Sequence, residues 1–98
     1  MNGASDNPIL RRLLAQIEAF RLEQLDLSSL EYEFAGARGA LDGAVPRIIQ
    51  DAVFRTEGEI NYAALEVGET QQRALSLEAL RAFEALIEKE YRDPPANT

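Results

Sequence analysis

Carboxylates are the only abundant reactive groups in this chain: 17 Asp and Glu among 98 residues, with no His and no Cys. Two carboxylates can share general acid–base work or hold a hard cation only if they converge on one point. Glu31 and Glu33 stand two positions apart, as do Glu57 and Glu59. On a helix that spacing turns the two side chains about 200° from each other. Glu84 and Glu88 have the converging i,i+4 spacing, with Arg81 and Arg92 in reach to neutralise them. Carboxylate-bridged metal bundles draw on Glu-x-x-His ligands, and hard-cation loops need dense Asp and Asn oxygens. Neither pattern occurs. Without imidazole or thiol there is no Ser-His-Asp triad, zinc finger or thiolate nucleophile. The expectation is a chain with no catalytic residue, no metal and no cofactor, hence not an enzyme.

The net charge is −7, from ten Lys and Arg against those seventeen carboxylates. A nucleic acid or an anionic membrane would need its phosphates neutralised by Lys and Arg, so neither is expected as partner. The excess is not evenly spread. Residues 26–70 hold three arginines against nine carboxylates, a net of −6. A concentrated field of that sign speeds encounter with a basic protein and disfavours wrong partners; ordinary solubility is its plainer reading. A small helical enzyme that grips a dianion with inward cations would have to use Arg11, Arg12 and Arg21. The single lysine, Lys89, lies too far along, and the middle of the chain adds no convergent cationic cluster.

Four helical elements must position these groups. Pro8 after Asn7 suits a helix start, and Ile9, Leu10, Leu13, Leu14, Ile17, Phe20 and Leu25 fall in one arc, predicting helix 1 over about 8–24. Asp26, or Ser28 with Glu31 as a capping box, starts helix 2 over about 27–41, with Leu27, Leu30, Phe34, Ala37 and Leu41 as its seam. Gly36 and Gly39 lie off that seam. Pro46 opens helix 3 over about 46–66, whose inner face collects Val45, Ile48, Ile49, Ala52, Val53, Ile60, Ala63, Ala64 and Val67. Gly68 is placed as its left-handed C′ residue. Residues 68–75 have no period and read as a connection, and Ser76 caps helix 4 over about 76–92, with Leu77, Leu80, Phe83, Ile87 and Tyr91 inward. No strand pattern competes. The fold class is therefore all-α, an antiparallel four-helix bundle in one domain, with short disordered tails at about 1–7 and 93–98. MNGASDNP lacks the basic and apolar regions of a signal peptide and no stretch is apolar enough to span a bilayer, so the expected location is cytoplasmic.

Helix 3 has a second feature. Phe54, Gly58, Tyr62 and Leu65 lie on the side opposite its main apolar face. Either helix 3 is central and buried on two sides, or these residues form an exposed anchor set inside an acidic rim, the arrangement that tight interfaces use. The partner-binding candidates are Glu31, Glu33, Asp51, Phe54, Glu57, Glu59, Tyr62, Leu65, Glu66 and Glu69.

A helix ending before LDLSSLEYEF, a long helix carrying EINYAAL, a Gly-containing break and then SLEALRAFEALI together resemble the small helical bacterial immunity proteins of the colicin D-type class. The likeness spans roughly residues 10–91 and rests on helix order, size and acidity. It implies a bundle that binds a cognate toxin, often a basic nuclease, and occludes its active site with carboxylates where substrate phosphates would lie. The function expected is thus a non-enzymatic protein-binding module, an immunity protein or antitoxin that neutralises a basic toxin. The alternative is a structural or regulatory subunit that forms a homodimer through the stripe on helix 3.

Overall fold

A computed structural model describes residues 7–41 and 43–92, with Tyr91 and Arg92 as backbone only. Four α-helices follow one another: α1 Pro8–Arg21, α2 Leu27–Ala40, α3 Arg47–Glu66 and α4 Glu69–Ile87, which runs on into a π-helical turn over Glu88–Arg92. Among the described residues there is no strand, and no helix is long and apolar enough to cross a membrane. Each helix packs against the next, and α1 closes on α4 through a thinner seam. This is the expected all-α, four-helix bundle. Asn7 belongs to the folded part, whereas the remaining expected tail residues, the turn residue Asp42 and the side chain of Tyr91 lie outside the described residues.

The core is the set of faces that the helical periods predict. Leu10, Leu13, Ile17 and Phe20 come from α1, Leu30, Phe34 and Ala37 from α2, Ile49, Ala52, Val53 and Ile60 from α3, and Leu80, Phe83 and Ile87 from α4. Phe34 meets Phe83 edge to face, with ring centroids 5.4 Å apart. Ile48, predicted on the inner face of α3, stays 45% exposed, while Thr56 takes a buried place there.

Helix starts follow local chemistry. The Asn7 side chain accepts from the Ile9 and Leu10 amides at 2.9 and 3.1 Å, and Pro8 fills the first turn where no amide is needed. Of the two candidate caps for α2, Asp26 makes the bond, accepting from the Ser29 amide at 2.9 Å.

Helix ends hold the surprises. α1 stops at Arg21 rather than 24 because Glu23 enters the left-handed region, φ 64°, and closes a Schellman turn. The Glu23 amide donates to the Phe20 carbonyl at 3.0 Å and the Gln24 amide to the Ala19 carbonyl at 2.8 Å. Glutamate in place of glycine gave no signal for this stop. Gly68, expected to be left-handed, is extended (φ −62°, ψ 155°) and caps the start of α4 instead. α4 therefore begins at Glu69, the stretch 68–75 is not a connection, and Ser76 is no cap. Ser76 is fully buried in mid-helix, and its hydroxyl has no hydrogen-bond partner among the described residues.

The residues in that misread stretch bind helix ends. The last carbonyls of a helix lack intrahelical partners. Arg73 donates to the Phe20 and Arg21 carbonyls at 3.3 and 2.8 Å, and its guanidinium lies 5.0 Å from the centre of the Phe20 ring. Gln72 donates to the Ala64 and Val67 carbonyls at 3.1 and 3.3 Å, and Gln50 donates to the Leu41 carbonyl at 2.9 Å. The ends of α1, α2 and α3 are each tied to a later helix in this way.

Removing a buried, unanswered hydroxyl should help: Ser76→Ala is expected to stabilise the chain by about 1 kcal/mol, a rise of roughly 4–8 °C in thermal midpoint for a domain of this size. Glu23→Gly should stabilise it by a similar ~1 kcal/mol by relieving the left-handed conformation. Thermal unfolding followed by circular dichroism checks both.

Candidate protein-binding face

The outer side of α3 decides between the two readings of its second stripe. Phe54 is 61% exposed, Tyr62 59% and Leu65 72%, so α3 is not buried on two sides. The three rise from one face of a continuous helix, with Gly58 between Phe54 and Tyr62. An alanine Cβ built at Gly58 would meet nothing within 4 Å. Helical backbone therefore lies open to solvent in the middle of the stripe.

On the α4 side, the stripe drops into a groove of about 460 Å³ between α3 and α4. Gly58, Ala79 and Ala82 leave it shallow-walled, Tyr62 and Leu75 form its apolar flanks, and Arg55, Glu59 and Glu78 stand around it. On the α2 side, Arg38 reaches over Phe54, its guanidinium 5.4 Å from the ring centre.

The ten candidate residues do not form one acidic rim, because internal partners take several of them. Glu33 turns away toward α1, where Arg12 grips it through two bonds of 3.0 Å, Nε to Oε1 and Nη2 to Oε2. Glu31 accepts from Asn61 Nδ2 at 2.6 Å. Glu57 Oε1 is buried 2.9 Å from Arg38 Nη1, close enough to pair charges although no N–H is aimed at it. Asp51 lies 3.6 Å from Arg47, both largely exposed. That leaves Glu59, Glu66 and Glu69, which have no basic group within 4 Å among the described residues.

The surviving charge is polarised along α3. Its first half carries Arg47 and Arg55 against Asp51 and Glu57. Arg47 pairs with Asp51 and Arg38 of α2 with Glu57, so Arg55 is the charge that survives there, and the second half carries Glu59 and Glu66, with Glu69 just beyond. The charges summed over residues 26–70 give only a net −6, since position along a helix and pairing across helices are lost in a sum.

Tyr32 was not singled out from the sequence, yet at 79% it is more exposed than any other large apolar side chain described. It borders a second groove, of about 470 Å³, between α1 and α2, lined also by Ile9, Gly36 and Ala40. Its position off the seam of α2 is the signal that could have found it. Among the described residues no group of three or more carboxylates is placed to hold a metal ion.

Two carboxylates are held ionised below their ordinary range. Arg12 lowers the Glu33 carboxyl, chiefly by hydrogen bonding, and Ser29 lowers that of Asp26 by donating to it. A lowered folded value gives stability that is whole above the unfolded value and lost as pH falls through the folded one. The fold should thus weaken as pH drops below the ordinary glutamate value of about 4.5. Glu33→Gln should flatten that acid limb, checked by thermal midpoints between pH 6 and pH 3, about the range where carboxylates titrate.

No family model matches this chain, and no curated protein or solved structure matches it either.

Proposed function

We propose that this chain is a non-enzymatic protein-binding module whose docking face is the outer side of α3 with the adjoining α3/α4 groove. The observation that carries the reading is the exposure of Phe54, Tyr62 and Leu65 on one unpartnered helix face. Scattered exposed apolar residues are ordinary, but aromatic and leucine anchors aligned on one helix beside a groove are what interfaces use. Apolar anchors supply affinity, and the flanking charges orient the partner.

Neutralisation of a basic toxin, as an immunity protein or antitoxin would do, is the narrower form of this reading. Its support is the chain's acidity and the three unpaired carboxylates Glu59, Glu66 and Glu69, which stand near Tyr62 and Leu65. Glu31, Glu33 and Glu57 contribute little to it, being engaged inside the bundle. A uniformly basic partner would be favoured at the carboxylate end of α3 and would meet balanced charges over its first half.

Site-specific photo-crosslinking in the native host tests the docking face. A photoreactive residue in place of Leu65 should give covalent protein adducts, whereas one in place of Arg81, exposed on α4, should give few. Equal labelling from both positions, or none from Leu65, would overturn the proposal.

A further inference from the structure

We infer that the occupant of the α3 face is a second copy of the chain, packed antiparallel, with Gly58 at the crossing point; this rests on the reading of that face as a docking surface. Three observations converge on a two-fold arrangement. The first is symmetry of the anchors: Phe54 and Tyr62 each stand four residues from Gly58, on opposite sides of it. An antiparallel two-fold through Gly58 brings Phe54 of one copy to Tyr62 of the other, twice.

The second observation is the charge polarity. Arg47, Asp51, Arg55 and Glu57 precede Gly58 on α3, a half that sums to zero, and Glu59 and Glu66 follow it, a half of −2. Antiparallel packing sets the balanced half of each copy, with Arg55 unpaired among the described residues, on the carboxylate half of its partner. A two-fold axis of this kind also keeps like flanks together, so Arg55 and Glu59, which both border the α4 groove, come to each other across the interface. Parallel packing would put the two carboxylate halves together. A single sign of charge would have forbidden self-association, and the net −7 conceals that this face does not have one.

The third is Gly58 itself. It has ordinary helical geometry, nothing in the bundle approaches it, and a Cβ would fit freely. The fold has no need of glycine there. A missing side chain at the centre of an apolar stripe lets a second backbone come close, and a two-fold axis is where one residue can serve both copies. Three large side chains per copy make a small interface, at the low end of specific complexes, so the dimer is expected in the micromolar range.

Sedimentation equilibrium on the full chain, from about 1 µM to about 1 mM, should show a monomer–dimer equilibrium. The pair Arg47→Glu with Arg55→Glu makes both halves of α3 acidic, and the pair Glu59→Arg with Glu66→Arg removes the carboxylates that Arg55 would meet and puts cations in their place. Each double variant alone should associate at least tenfold more weakly, and mixing the two should restore dimer as a heterodimer. Gly58→Gln, at an exposed position, should keep the helical spectrum and lose association at least tenfold. A chain that stays monomeric throughout, or a dimer indifferent to the charge swaps and to Gly58→Gln, would overturn the inference. Leu65 adducts formed only with a different protein, from a chain that sediments as monomer, would also overturn it while leaving the docking face intact. Absence of both adducts and dimer would remove the docking face as well.

Discussion

Unpartnered carbonyls at the helix C-termini are the constraint around which this bundle is arranged. Each helix leaves such groups behind, and burying them unanswered would cost more than most packing contacts return. Here long side chains from later helices answer them: Gln50 for α2, Gln72 for α3 and Arg73 for α1. These bonds connect the end of one element to the body of another. The link between α3 and α4 can therefore be as short as Val67 and Gly68 without leaving the end of α3 open. Arg73 does the same across the thin seam between α1 and α4, where Arg21 also pairs with Glu84. Polar contacts here close the side of the bundle that apolar packing closes least.

That arrangement explains which parts of the fold could be read from residues alone. The buried faces of α1 and α2 were legible because apolar residues recur at helical spacing, and burial follows the period. Ser76 and the stretch before it were not. GETQQRAL has no apolar period, and its helix is held by what Gln72 and Arg73 reach rather than by what they bury. The polar look that argued for a connection is the look of side chains that bind helix ends. Gly68 misled in the same way. Its freedom to be left-handed is not an instruction to be so, and with α4 beginning at the next residue an extended backbone suffices. The stop at Glu23 was invisible for the opposite reason, because a left-handed turn was made without the residue that usually announces it.

The candidate site was half legible. Phe54, Tyr62 and Leu65 were found by their place on the helix wheel, and the wheel alone could not tell a buried second face from an open one. The four-helix arrangement settles it: α2 and α4 flank α3, and among the described residues no helix covers its outer side. Charge was less legible. Summation counts Glu33 and Glu59 alike, yet one is held by two bonds from Arg12 and the other is free of any basic neighbour among the described residues. Pairing takes Asp51 and Glu57 up with Arg47 and Arg38 and leaves Arg55 in the first half of α3 against Glu59 and Glu66 in the second.

The same bookkeeping bears on why the stripe can stay exposed at all. A small bundle gains little from each buried side chain and cannot spare many large ones to solvent. Leu75 and Ile48 are exposed too, but less than Phe54, Tyr62 and Leu65. Arg38 shields one edge of Phe54 with its guanidinium and at the same time neutralises Glu57, so one side chain limits both the apolar and the anionic exposure at that end. At the other end neither device is used: Leu65 stands open and Glu59, Glu66 and Glu69 stand unpaired. The second half of α3 thus lacks both cover and counter-charge, and a surface that satisfies it must bring apolar contact and positive charge together. A reversed copy of α3 is such a surface.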